Sequence, residues 1–150
     1  MDRRHARLIP AALAGLALLA GRPAAADEPA WPAVTGTWSV EESAVVIGAN
    51  EHFPTPGYPG VAPRLLDYRG TLRVAGQRDR RFWGTMEERA GRGEDVIGIF
   101  TGEGRRFLMV DEDGVIEGEM SGDGGTMRYC HRHVSPTARV ASCGTATRVE

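Results

Sequence analysis

His131 and His133 stand two apart in Tyr129-Cys-His-Arg-His-Val134, so on a strand both imidazoles project from one face. With His52 they offer three imidazoles, enough to hold zinc and leave a coordination position open. One strand pair plus a histidine from a distant segment is not a specific metal spacing, however. The expectation is no metal, with these side chains lining a pocket or bonding across strands. Asp111-Glu-Asp-Gly114 has the acids of a calcium loop but lacks the later glutamate an EF-hand needs, so it reads as a hairpin turn. Glu41-Glu42 and Glu87-Glu88 are pairs in sequence only, because strand neighbours face opposite ways and form no catalytic dyad. Glu42, if it faces inward with Trp38 and Val40, reads as a structural carboxylate partnered by an arginine. Ser43 and Ser135 lie in no nucleophile motif. The chain has no Gly-x-Ser-x-Gly, no phosphate loop and no His-Glu-x-x-His. Cys130 and Cys143 are too far apart for a Cys-x-x-Cys redox pair. No acid, base and nucleophile set emerges, so the expectation is a protein that is not an enzyme and carries no cofactor.

The elements that must position these residues are strands. Runs of strand length are cut by Asp113-Gly114, Asp123-Gly124-Gly125, Gly102-Glu-Gly104 and similar turn residues that accept positive φ. Eight strands are predicted, at Gly36–Ile47, Leu65–Ala75, Arg80–Glu88, Asp95–Thr101, Arg105–Val110, Val115–Ser121, Thr126–His133 and Arg139–Arg148. Gly76, Gly91 with Gly93, and Ser135-Pro136 supply the remaining short turns. No stretch keeps an apolar period of 3.6, so little helix is expected outside the amino-terminal segment. The predicted fold is all-β: an eight-stranded antiparallel up-and-down barrel, a meander with one long Pro/Gly-rich loop, Gly48–Arg64. Closure removes the exposed edges and gathers alternate loops at one rim. That rim, the mouth, holds the long loop and the turns at Arg89–Gly93, Asp111–Gly114 and Val134–Ala138.

Met1–Ala26 is read as a signal peptide to be removed rather than as fold. Arg3, Arg4 and Arg7 precede an apolar run, Leu8–Ala20, of about thirteen residues, and Ala24-Ala25-Ala26 is a small-residue cleavage site. The run is short for a spanning helix, which needs about 20 apolar residues. Arg3-Arg4 hints at the twin-arginine route, but Arg7 sits where that signal prefers an apolar residue, which favours ordinary secretion. The domain reading is therefore signal peptide 1–26, amino-terminal arm 27–35 and barrel 36–150, in the periplasm or secreted, with no membrane anchor. The chain has 18 basic and 20 acidic residues, and four arginines and one aspartate fall in 1–26. The remainder carries 14 bases against 19 acids, a balance that argues against nucleic acid as a partner. An even pair of cysteines in an exported chain reads as one disulfide, Cys130–Cys143.

That pairing fixes a register. If the cysteines face each other, Met127 opposes Ala146, Tyr129 opposes Gly144, His131 opposes Ser142 and His133 opposes Val140. Met127 and Tyr129 suggest that this face is inward, which puts the disulfide outside and Arg148 inside, opposite the mouth. Gly36-Thr37-Trp38 opens the first strand at that same end. A Gly-x-Trp opening the first strand with an arginine late in the last strand resembles the calycin barrels: lipocalins, avidins and small bacterial metalloprotease inhibitors. The resemblance implies a barrel floor in which Arg148 packs on Trp38. The segments Arg81-Phe-Trp-Gly-Thr85, Met109-Val-Asp-Glu-Asp-Gly114 and Tyr129-Cys-His-Arg-His-Val134 are also similar to small secreted bacterial proteins without an assigned function, and add no chemistry.

The expected role is a binding barrel. A small apolar molecule or a partner's peptide would enter at the mouth and meet His52, Phe53, Tyr58, Tyr129, His131 and His133. Two alternatives compete. One is an inhibitor of an exported enzyme, acting through a loop or the free arm Asp27–Val34; the other is a structural envelope protein with a filled interior. Both faces of Val96–Phe100 and Phe107–Val110 are apolar. The second face is expected to be covered by the segment around Trp31 or by another subunit of a homo-oligomer.

Overall fold

A computed structural model describes residues 31–49, 62–88, 93–102 and 104–149. Residues 1–30, which include the expected signal peptide and the start of the expected arm, and His52, Phe53 and Tyr58 lie outside the described residues. The chain forms β1 (Gly36–Gly48), β2 (Arg64–Arg78), β3 (Arg81–Glu88), β4 (Gly93–Thr101), β5 (Arg106–Val110), β6 (Gly114–Met120), β7 (Thr126–Val134) and β8 (Ala138–Arg148). They make one closed antiparallel barrel in which each strand pairs with its neighbours in the chain and β1 closes against β8. The described residues contain no helix.

Alternation drives this closure. Along β1, Trp38, Val40, Glu42, Ala44 and Val46 are buried while Ser39, Glu41, Ser43 and Val45 face solvent. A period of two places every second side chain on the inner face, and a one-residue slip would turn the whole set out. The β7–β8 register is the one the cysteines predict: Met127 opposes Ala146, Tyr129 Gly144, His131 Ser142 and His133 Val140. Cys130 and Cys143 pair directly across the outer face and form the disulfide. At a sequence separation of 13, the bond is expected to add about 3 kcal/mol. Urea denaturation of the Cys130→Ser, Cys143→Ser double variant checks that figure, and an unchanged midpoint would refute it.

One turn departs from expectation. β2 runs to Arg78 rather than ending at Ala75, with a register shift between Val74 and Gly76. The turn then falls on Asp79-Arg80, and Asp79 takes a φ of 55°. A bulge absorbs one residue, and aspartate tolerates the left-handed region, so a glycine there is unnecessary.

The end opposite the mouth is packed solid. Trp38, Leu72, Phe82, Phe100, Met120 and Met127 are buried almost completely. The rings of Phe82, Phe100 and Phe107 meet at 5.4–6.4 Å in tilted and edge-on pairs. Gly98 and Gly118 make this possible. They sit opposite Phe82 and Phe107, and a Cβ on either would press into that ring at 2.3–2.4 Å. The bare glycine backbone is thus covered by its partner's ring.

The floor is closed by Trp38, Arg148 and the arm. The Arg148 guanidinium carbon lies 4.3 Å from the Trp38 ring centroid, and Trp38 pairs with Arg148 across the β1–β8 seam. Arg148 donates to the carbonyls of Thr35 and Ala33, Trp38 Nε1 donates to the Val34 carbonyl, and the Gln77 amide bonds Val34 N and Pro32 O. Trp31 stacks on Phe100 at 6.0 Å. Residues 31–34 are therefore fastened to the floor, which corrects the expectation of an arm free as far as Val34. Trp31 also does not cover the outer face of β3–β5, where Trp83 and Ile97 are 47% and 62% exposed and Ile99, Leu108 and Val110 are half-buried.

Candidate functional site

Above the floor the inner face turns polar. Glu42 on β1 and Tyr129 on β7 both pair with Gly144 on the intervening strand β8. With no side chain at Gly144, the two reach each other over bare backbone: Tyr129 Oη donates to Glu42 Oε2 at 2.8 Å. Close packing fixes this choice, because a Cβ on Gly144 would lie 2.4 Å from the Glu41 carbonyl and 3.0 Å from Glu42 Cβ. Tyr68, opposite Glu42 on β2, donates to the same carboxylate oxygen at 2.5 Å. Glu42 is thus an inward, buried carboxylate, as expected, but two tyrosines hold it where the sequence suggested an arginine. Burial is the largest influence on Tyr129, and the Glu42 charge and hydrogen bond act in the same direction. Together they drive its hydroxyl pKa far above the ordinary tyrosine value.

One step toward the mouth, the row Ala44–Ser142–His131–Ile116 crosses β1, β8, β7 and β6, and the next row is Val46–Val140–His133–Gly114. Ala44, Val46 and Val140 are small and buried. Ser142 is 5% exposed, and its Oγ has no hydrogen-bond partner among the described residues.

The β5–β6 hairpin brings its acids to the two histidines. Asp111 Oδ1 accepts from the backbone N–H of Gly114 at 2.6 Å and of Asp113 at 3.3 Å, so the carboxylate shapes the turn. Its Oδ2 faces His131 Nε2 at 3.7 Å. That nitrogen is buried and makes no hydrogen bond among the described residues. His133 Nδ1 lies 2.9 Å from both the carboxylate and the carbonyl oxygen of Asp113. Gly114 makes room for the group, since a Cβ there would fall 1.9 Å from His131 Nε2.

The structure therefore brings together Tyr129, His131 and His133 of the residues expected at the mouth. Tyr129 sits deeper than the rim, with its hydroxyl committed to Glu42. His52, Phe53 and Tyr58 lie outside the described residues. Tyr68, Asp111, Asp113 and Ser142 are site residues that the sequence expectation did not include, although the cysteine register already placed Ser142 opposite His131. Of the paired acids at Glu87-Glu88, Glu87 bonds Arg73 on the surface.

The class defined by these features is a closed up-and-down barrel with a packed floor, a buried carboxylate–tyrosine cluster and a histidine–aspartate rim. No protein-family model matches the chain, and no curated protein matches it in sequence.

Proposed function

We propose that this chain is an exported calycin-like barrel that binds a small molecule through the mouth half of its interior. The observation that carries the reading is the Ser142 hydroxyl, buried and without a partner among the described residues. Buried polar groups in native proteins are nearly always bonded, and leaving one unpaired costs about 1–3 kcal/mol. A ligand oxygen or nitrogen satisfies it. The surroundings suit a modest, mainly apolar guest: Ala44, Val46, Val140 and Leu66 are small or aliphatic, and the carboxylate–tyrosine cluster forms a polar base beneath them. His131 and His133 would contact the guest from β7, and His52, Phe53 and Tyr58 from the rim loop. Export is supported by the leader-like composition of 1–26 and by a disulfide that persists in oxidising compartments. Inhibition of an exported enzyme through the arm has less support, because residues 31–34 serve the floor.

Native mass spectrometry of the chain purified from its own host tests the reading. The expected result is a bound small organic mass that is weakened about 2- to 10-fold by Ser142→Ala, the loss of one hydrogen bond. It should be abolished by Ala44→Phe, which sets a ring directly across from Ser142 on the neighbouring strand. A chain carrying no such mass, or one whose guest is indifferent to Ala44→Phe, would overturn it.

A further inference from the structure

The rim group carries an inference beyond small-molecule binding and independent of it. We propose that Asp111, Asp113 and His131 form a site for a divalent first-row transition metal, with zinc as the representative ion. One donor atom from each residue lies within 4.8 Å of the others. His131 Nε2 and Asp111 Oδ2 are 3.7 Å apart, too far for a hydrogen bond. Two donors sharing one tetrahedral zinc at 2.0–2.2 Å stand roughly 3.4 Å apart, so a small side-chain adjustment admits the ion. The buried Nε2 makes no hydrogen bond among the described residues, and a metal bond would satisfy it.

The supporting contacts are those a metal site needs. Asp111 is oriented through its other oxygen by the Gly114 and Asp113 N–H groups, and its side chain is 9% exposed. Asp113 is braced by His133 Nδ1. Carboxylate ligands held by outer hydrogen bonds in this way lose little freedom on binding. Gly114 keeps the approach to His131 clear. Two carboxylates and a neutral imidazole balance a dication. An imidazole nitrogen suits zinc and its neighbours in the series, whereas calcium takes oxygen ligands. Three protein donors leave a coordination position open. The hairpin turn read from Asp111-Glu-Asp-Gly114 is present. The chemistry arises because β7 lays His131 across it, which spacing in the sequence does not reveal.

The test is calorimetric titration of the untagged, chelator-stripped chain with zinc chloride, repeated with calcium chloride. The expected result is one saturable zinc per chain and no calcium competition. Asp111→Asn and His131→Gln should each weaken zinc by at least about 10-fold. The amide introduced by Asp111→Asn keeps an acceptor for the turn, and a urea midpoint near that of the parent shows that the fold is intact. Cobalt substitution adds a direct readout, with visible absorption that His131→Gln shifts. The absence of saturable zinc binding, or affinity unchanged in both variants, would overturn the site. The guest is read separately, by native mass spectrometry of the Ser142→Ala and Ala44→Phe variants, so the two readings fail separately.

Discussion

Replacing Trp38 with alanine is expected to destabilise the barrel by about 3–5 kcal/mol, the range for truncating a buried tryptophan. Trp38 is fully buried, and three kinds of contact end with it. Its ring area returns to a cavity among Leu72, Val40 and Val34 that the closed sheet cannot collapse. The Val34 carbonyl loses its donor. Arg148 loses the ring beneath its guanidinium, a contact contributing about 0.5–2 kcal/mol. Arg148→Ala should cost less, because the tryptophan stays buried and only the guanidinium's stacking on the ring and its bonds to the arm disappear. Urea unfolding of both variants measures the order. A Trp38→Ala midpoint indistinguishable from the parent would show that the floor does not depend on this ring.

The second large effect concerns the buried carboxylate. Tyr129→Phe removes a hydrogen bond to Glu42 and is expected to cost about 1.5–3 kcal/mol near neutral pH. Its pH dependence is more diagnostic. In the unfolded chain a tyrosine loses its proton near pH 10. In the folded chain burial and Glu42 keep Tyr129 protonated well beyond that. Its contribution is therefore fully present below about pH 10 and is lost as pH rises, because only the unfolded state releases the proton. The slope is about 1.4 kcal/mol per pH unit from this one group. Phenylalanine cannot titrate, so the deficit of the variant should narrow steadily between about pH 10 and 11.5. Parallel stability curves for the two proteins over that interval would contradict the assignment.

These residues show how much the sequence carried. The two cysteines fixed the β7–β8 register, and with it the inward set Met127, Tyr129, His131, His133 and Ser142. The Gly-x-Trp and the late arginine located the seam, where Trp38 pairs with Arg148. Glu42 was legible as inward, but its partners were not. Tyr68 meets it through the β1–β2 register, and the connection between those strands is long and rich in proline and glycine. No tight turn sets that alignment. The docking of Trp31 on Phe100 was equally hidden, since an irregular segment has no period to betray the face it packs against. Asp111 and His131 are 20 positions apart and meet only because two hairpins stack their turns and strands in one register.

The seam also orders assembly in time. Seven of the eight ladders join strands consecutive in the chain, and the eighth joins Trp38 to Arg148, 110 positions later. Ladders between consecutive strands gain contacts for a modest loss of chain freedom, whereas the last must bring distant ends together first. The β1–β8 ladder is therefore expected to be the costliest to close and the last to form. Arg148, clasping the ring and the carbonyls of the opposite end, acts as the latch that holds the seam shut once those strands meet.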